Sequence, residues 1–75
     1  MIRELEVVVL RADLPAESLE AGDVGTVVAV YDGGRAFEVE FTTLTGDTVS
    51  VVTLDRDAIR QVEPTDVTHV RKAVA

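Results

Sequence analysis

Apolar residues recur at every second position along most of this chain, in short runs bounded by Gly, Asp, Thr and Pro, and that period belongs to strands rather than helices. The cleanest run is Ala36-Phe37-Glu38-Val39-Glu40-Phe41-Thr42, in which Phe37, Val39 and Phe41 share the face expected to meet a core while Glu38 and Glu40 face water. Just before it, Asp32-Gly33-Gly34-Arg35 is a turn signal, because Asp-Gly and Gly-Gly pairs supply the positive φ that tight hairpins demand. Residues 25–31 are therefore predicted to pair with residues 36–42. A second turn at Thr43-Leu44-Thr45-Gly46-Asp47 leads into a strand over 48–54. There the apolar phase moves from Val49 and Val51 to Val52 and Leu54, which predicts a bulge or sharp bend between residues 51 and 52.

The first run, Leu5 to Arg11, is apolar on both of its faces: Leu5, Val7 and Val9 on one, Val8 and Leu10 with Glu6 on the other. Residues 12–23 form a long connection with a possible helical turn at 15–19, where Pro15 suits a first helical position, and with Leu14 and Leu19 predicted to fold it onto the end of the sheet. Asp55-Arg56-Asp57-Ala58-Ile59 predicts one helical or 3-10 turn capped by Asp55, followed by a last short strand over 60–63 that Pro64 stops. Five strands with one late turn predict an all-β fold: a small five-stranded SH3-like barrel over residues 1–64, with a C-terminal tail over 65–75. In that tail Val67, Val70 and Val74 follow Thr65 at helical spacing, so the segment is either a short amphipathic helix or loose.

Only Tyr31, Phe37 and Phe41 are aromatic, so the core is built mainly of valine and leucine, and a chain of 75 residues buries a small one. A domain of this size hides only about 60% of the surface its unfolded chain exposes. With no cysteine there is neither a disulfide framework nor a thiolate metal site. The absence of a basic, long apolar leader and of a bilayer-length apolar run gives a soluble, cytoplasmic protein as the expectation. Seven basic residues against fourteen acidic ones leave a net charge of −7, and the arginines are scattered. Phosphate is repelled by that balance, which disfavours nucleic acid as a partner.

The ordered series Asp13-Leu14-Pro15, Gly22-Asp23-Val24-Gly25-Thr26-Val27-Val28 and Phe37-Glu38-Val39-Glu40-Phe41 resembles a family of small uncharacterised bacterial proteins, frequent in cyanobacteria and catalogued as a domain of unknown function. The resemblance spans Leu5 to Val62 and implies an SH3-like barrel, usually free-standing; it transfers no activity and no site. The stretch from Gly22 to Val28 is also similar to the glycine-centred loop and strand of KOW-type domains, which touch RNA or protein in ribosomal and transcription proteins. This chain departs from the RNA-binding examples in lacking basic residues around that loop.

Candidate chemistry is sparse. His69 is the only imidazole, lies in the tail, and has no cysteine to serve, so no catalytic residue is assigned. Glu38/Glu40 and Asp55/Asp57 are carboxylate pairs, but the former sit on the outward face of one strand, as solvated residues do. Asp55-Arg56-Asp57 lacks the glycine and distal glutamate of a calcium loop, and Asp32-Gly33-Gly34 lacks the lysine and hydroxyl of a phosphate cradle. Neither a metal nor a cofactor is expected.

The feature that exceeds a plain soluble domain is apolar character on both faces of the first two strands. Val8 and Leu10 in the first, and either Val27/Ala29/Tyr31 or Val28/Val30 in the second, are expected to turn away from the core. Three resolutions are open: coverage by the C-terminal tail or curvature of the strands themselves, a second copy in a homodimer, or a partner protein. Val8, Leu10, Val28, Val30 and Tyr31 are the candidate partner-binding residues. The functional expectation is a non-catalytic protein-interaction module that binds a partner protein or itself, with an inhibitor or antitoxin-like role toward a basic protein as its extension. The alternative is a KOW-like RNA- or ribosome-associated module.

Overall fold

A computed structural model of the chain describes residues 1–73. Five strands, β1 (Val7–Leu10), β2 (Val24–Tyr31), β3 (Ala36–Thr42), β4 (Thr48–Asp55) and β5 (Ile59–Gln61), form one antiparallel sheet in the order β4-β3-β2-β1-β5. Three single 3-10 turns, Pro15–Glu17, Asp32–Gly34 and Arg56–Ala58, join them, the last falling just before the final strand as expected. The all-β architecture is thus the one the alternating pattern predicts.

Opposite residues on neighbouring antiparallel strands share a face, so the register sorts the side chains into two layers. One row runs Val27, Val39, Val52 and another Phe37, Leu54, while Leu10 sits opposite Ile59. These residues, with Val8, Leu19 and Phe41, line the inner face; Val52 is partly buried against a core that the others form. Leu14 and Leu19 bridge each other across the 3-10 turn, and Leu19 is buried, so the long connection does fold onto the core. Gly25 belongs to this inner layer, opposite both Val8 and Phe41. A Cβ there would lie 2.6 Å from Val39 Cγ1 and 2.9 Å from Phe41 Cε1, so the absence of a side chain is what lets β3 pack across β2.

Several local expectations are corrected. The β4 irregularity lies between Ser50 and Thr48, where Val49 is the extra residue against β3, rather than between 51 and 52. Val49 and Val52 both pack on the core while Val51 is exposed, and one inserted residue before Ser50 achieves that phase change. A further register shift, between Val27 and Ala29, lies in β2. At the hairpin, Asp32, Gly33 and Gly34 all have positive φ and form a 3-10 turn in place of a two-residue link. Asp55 makes no side-chain cap; the turn it precedes is instead held by the Arg56 amide donating to the Arg35 carbonyl at 2.9 Å.

The ends of the chain also differ from the simple reading. Leu5 stands outside β1, exposed and with φ +68°, yet its amide donates to the Val27 carbonyl at 2.7 Å. The tail from Thr65 to Ala73 forms no helix, and Val67 and Val70 are exposed; Val74 lies outside the described residues. Polar clamps hold the tail instead of an apolar stripe. Arg60 grips Asp66 with two hydrogen bonds of 2.8 and 2.9 Å, and Arg71 binds the Asp23 carboxylate and the Ser18 carbonyl. Among the described residues no helix is long and apolar enough to cross a membrane.

Candidate interaction surface

Since the inner layer uses one alternation set of every strand, the other set forms an outer face whose composition follows from the same register. One row across four strands reads Val7, Thr26, Glu40, Val51; the next reads Ala29, Glu38, Thr53; the third reads Tyr31, Ala36, Asp55. Val9 lies between Val24 and Arg60 on this same side. Val7, Val24, Tyr31 and Val51 are each about half exposed, so valines and one tyrosine alternate with carboxylates and hydroxyls over the sheet.

Hydroxyl groups fix the carboxylates in place. Tyr31 Oη donates to Glu38 Oε1 at 2.6 Å, and Thr48 Oγ1 donates to Glu40 Oε2 at 2.8 Å. No described arginine or lysine forms a salt bridge with Glu38 or Glu40, whereas Arg60 and Arg71 are taken up by Asp66 and Asp23 with their neighbours Glu63 and Glu20. The outer carboxylates are therefore held by hydroxyls alone among the described residues. The hydrogen bond to Glu38 raises the Tyr31 phenol above its ordinary value, and that from Arg60 lowers the Asp66 carboxyl to about 2. The Arg71 hydrogen bond likewise lowers Asp23, and the Gln61 amide lowers Glu6.

The five residues singled out by the sequence do not gather on this face. Val8 and Leu10 are buried in the core, at 0% and 1% exposure, and are not available to a partner. Both faces of β1 are apolar, so alternation alone gave no phase; the pairing of Val8 with Gly25, over which Val39 and Phe41 pack, and of Leu10 with Ile59 sets Val8 and Leu10 inward. Val28 sits in the β2 register shift and is exposed. Val30 lies opposite Phe37, in the inner phase, but at the end of the sheet, where it lines a shallow depression with Met1 to Glu4 and Ala29. Only Tyr31 joins the outer face. Val7, Val24 and Val51 also lie on this face, with Glu38 and Glu40, which the sequence places toward water; Gly25 was the available signal for its phase, because a strand glycine marks the side on which another backbone comes close.

Residues 4–61 match the family described as a domain of unknown function (DUF4926). No curated protein and no solved structure matches the chain.

Proposed function

We propose that this chain, which belongs to the family of the domain of unknown function DUF4926, is a non-catalytic protein-interaction module whose acidic sheet surface takes a basic partner protein. The observation that carries the reading is the outer face itself: Val7, Val24, Tyr31 and Val51 half exposed, with Glu38 and Glu40 oriented by hydroxyls and unmatched by any described cation. Apolar contacts supply affinity in such an interface, and the carboxylates supply orientation and association rate. A net charge of −7 makes a basic protein the complementary partner and sets two copies of this chain against each other. The strand order, with a 3-10 turn between β4 and β5, supports the SH3-like reading, and the domain works as a bacterial, cytoplasmic binding unit in this proposal.

The test is affinity capture from native extract with three baits: the wild type, E38K/E40K on the outer face, and E20K away from it. Stoichiometric recovery of one basic protein by the wild type and E20K, lost with E38K/E40K and released by salt, is the expected result. Recovery unchanged by E38K/E40K overturns the assignment of the surface. Tight binding of mixed RNA at moderate ionic strength, read by electrophoretic shift, replaces the protein partner with the KOW-like alternative.

A further inference from the structure

The two edges of the sheet are treated very differently. β5 is three residues long and flanked by side-chain bonds, Gln61 to Glu6 and Arg60 to Asp66. β4 is eight residues long, pairs with β3 on one side, and is the end of the strand order on the other. Among the described residues, no loop, tail or side chain hydrogen-bonds the backbone of Val49 through Leu54 from that open side. The sequence Thr48-Val49-Ser50-Val51-Val52-Thr53-Leu54-Asp55 carries no lysine, no proline and no charge before its last residue, so the bulge at Val49 is the one edge protection within it, and the stretch from Ser50 onward runs without one. Ala16 to Ser18 and Ala73 flank Thr48 to Ser50, but the β-branched stretch from Val51 to Asp55 beyond them is a template for one more strand.

We infer that this edge of β4 receives an extended segment of the partner bearing lysine or arginine at alternate positions, as a sixth strand. The inference rests on the proposed partner-binding surface and adds where the partner pairs and in what conformation. Charge selects the occupant. Asp47 and Asp55 bracket the edge, and Glu17, which accepts a hydrogen bond from Ser50 Oγ at 2.6 Å, lies beside its first half. On the outer face Val51 and Thr53 sit opposite Glu40 and Glu38 on β3. Adjacent strands are about 4.8 Å apart, so a lysine placed next to Val51 on a sixth strand spans one strand to reach Glu40. A second copy of this chain would bring a further −7 to the same edge, and is the poorer fit.

The probe is an eight-residue peptide of alternating valine and lysine, compared with its glutamate counterpart and with a version N-methylated on alternate backbone nitrogens. Binding to the intact 75-residue chain is followed by fluorescence anisotropy, and β4 amide protection by hydrogen exchange. The lysine peptide is expected to bind and protect β4 amides, the glutamate peptide to fail, and N-methylation to weaken binding at least about tenfold, as loss of two or so net hydrogen bonds does. Equal binding of the N-methylated peptide overturns edge pairing while leaving the acidic surface as the binding site. No binding by any peptide overturns the edge proposal, with the capture experiment still deciding the surface. A dimer by light scattering, with β4 amides already protected before peptide is added, assigns the edge to a second copy and overturns it as well.

Discussion

Asp23 and Arg71, 48 positions apart, are joined by paired hydrogen bonds, one of them from Nε to Oδ1 at 2.9 Å, which tie the tail to the residue just before β2. The same guanidinium donates to the Ser18 carbonyl, so one side chain holds the tail against the connection before the strand. Substituting R71A or D23N is expected to free residues 67–73, beyond the Arg60–Asp66 clamp, while leaving the sheet intact. Backbone amide spectra check this: collapse of tail dispersion with unchanged β1 to β5 shifts is the expected pattern, and a collapse of the whole spectrum contradicts it.

Acid should loosen the tail from its other clamp. Asp66 is held at about 2 by the Arg60 hydrogen bond, below its ordinary 3.8. A carboxyl depressed on folding contributes stability that is complete above its unfolded value and is lost as the pH falls through its folded one. The Arg60–Asp66 contribution is therefore present above about pH 4, as follows from the ordinary carboxyl value, and disappears toward pH 2. Tail shifts followed from pH 5 to about 1.5 should titrate with this midpoint in the wild type and lose that step in D66N. Both groups are exposed, so salt shrinks the effect.

Tyr31 gives an alkaline counterpart. Its hydroxyl donates to Glu38, which raises the phenol above its ordinary 10.0. A group raised on folding contributes stability below its unfolded value and loses it as the pH climbs through the folded one, so this bond weakens only above about pH 10. Ultraviolet titration of the single tyrosine should show a midpoint above the ordinary value that E38Q brings back down.

Gly25 is predicted to be intolerant of any side chain. In G25A the new methyl meets Val39 Cγ1 at 2.6 Å and the Glu40 carbonyl oxygen at 3.0 Å, and the second of these is backbone that moves only with β3. Overpacking of this kind costs about 1–3 kcal/mol, read as a lowered urea midpoint. A midpoint equal to wild type would mean that β2 and β3 separate more easily than their register suggests.

Leu10 and Val28 separate core from surface within one set of sequence-selected residues. L10A removes a side chain buried between Ile59 and the rest of the core and should cost about 2–5 kcal/mol, enough to unfold much of a domain this small. V28A, at an exposed bulge position, should stay within about 0.5 kcal/mol. Chemical denaturation of the two variants checks the pair.

Strand existence, strand type and the inner face of β3 were legible because Phe37, Val39 and Phe41 alternate with Glu38 and Glu40, leaving one choice of phase. β1 offered no such contrast. With Val7, Val8, Val9 and Leu10 in a row, the choice depends on what each strand partner presents, and Gly25 and Ile59 are remote in sequence. The tail stayed undecided for a related reason: Val67 and Val70 have helical spacing, but a short segment cannot sustain a helix against solvent, and Asp66 and Arg71 find better partners in Arg60 and Asp23. The outer surface was half visible, since Glu38 and Glu40 were read as water-facing, but their alignment with Val7 and Val51 depends on register, which local pattern does not encode.

Both extremities of the chain converge on β2, Leu5 through the Val27 carbonyl and Arg71 through Asp23 beside the strand's first residue. Mechanically, tension applied between the two ends would enter at one point along this strand and leave near its start, loading first the Arg71–Asp23 contact and then the Arg60–Asp66 contact before the β5 ladder. Stretched in this way, the molecule should release residues 67–73 when Arg71 lets go and then resist at Asp66, the two guanidinium groups acting as successive fuses for the fold behind them.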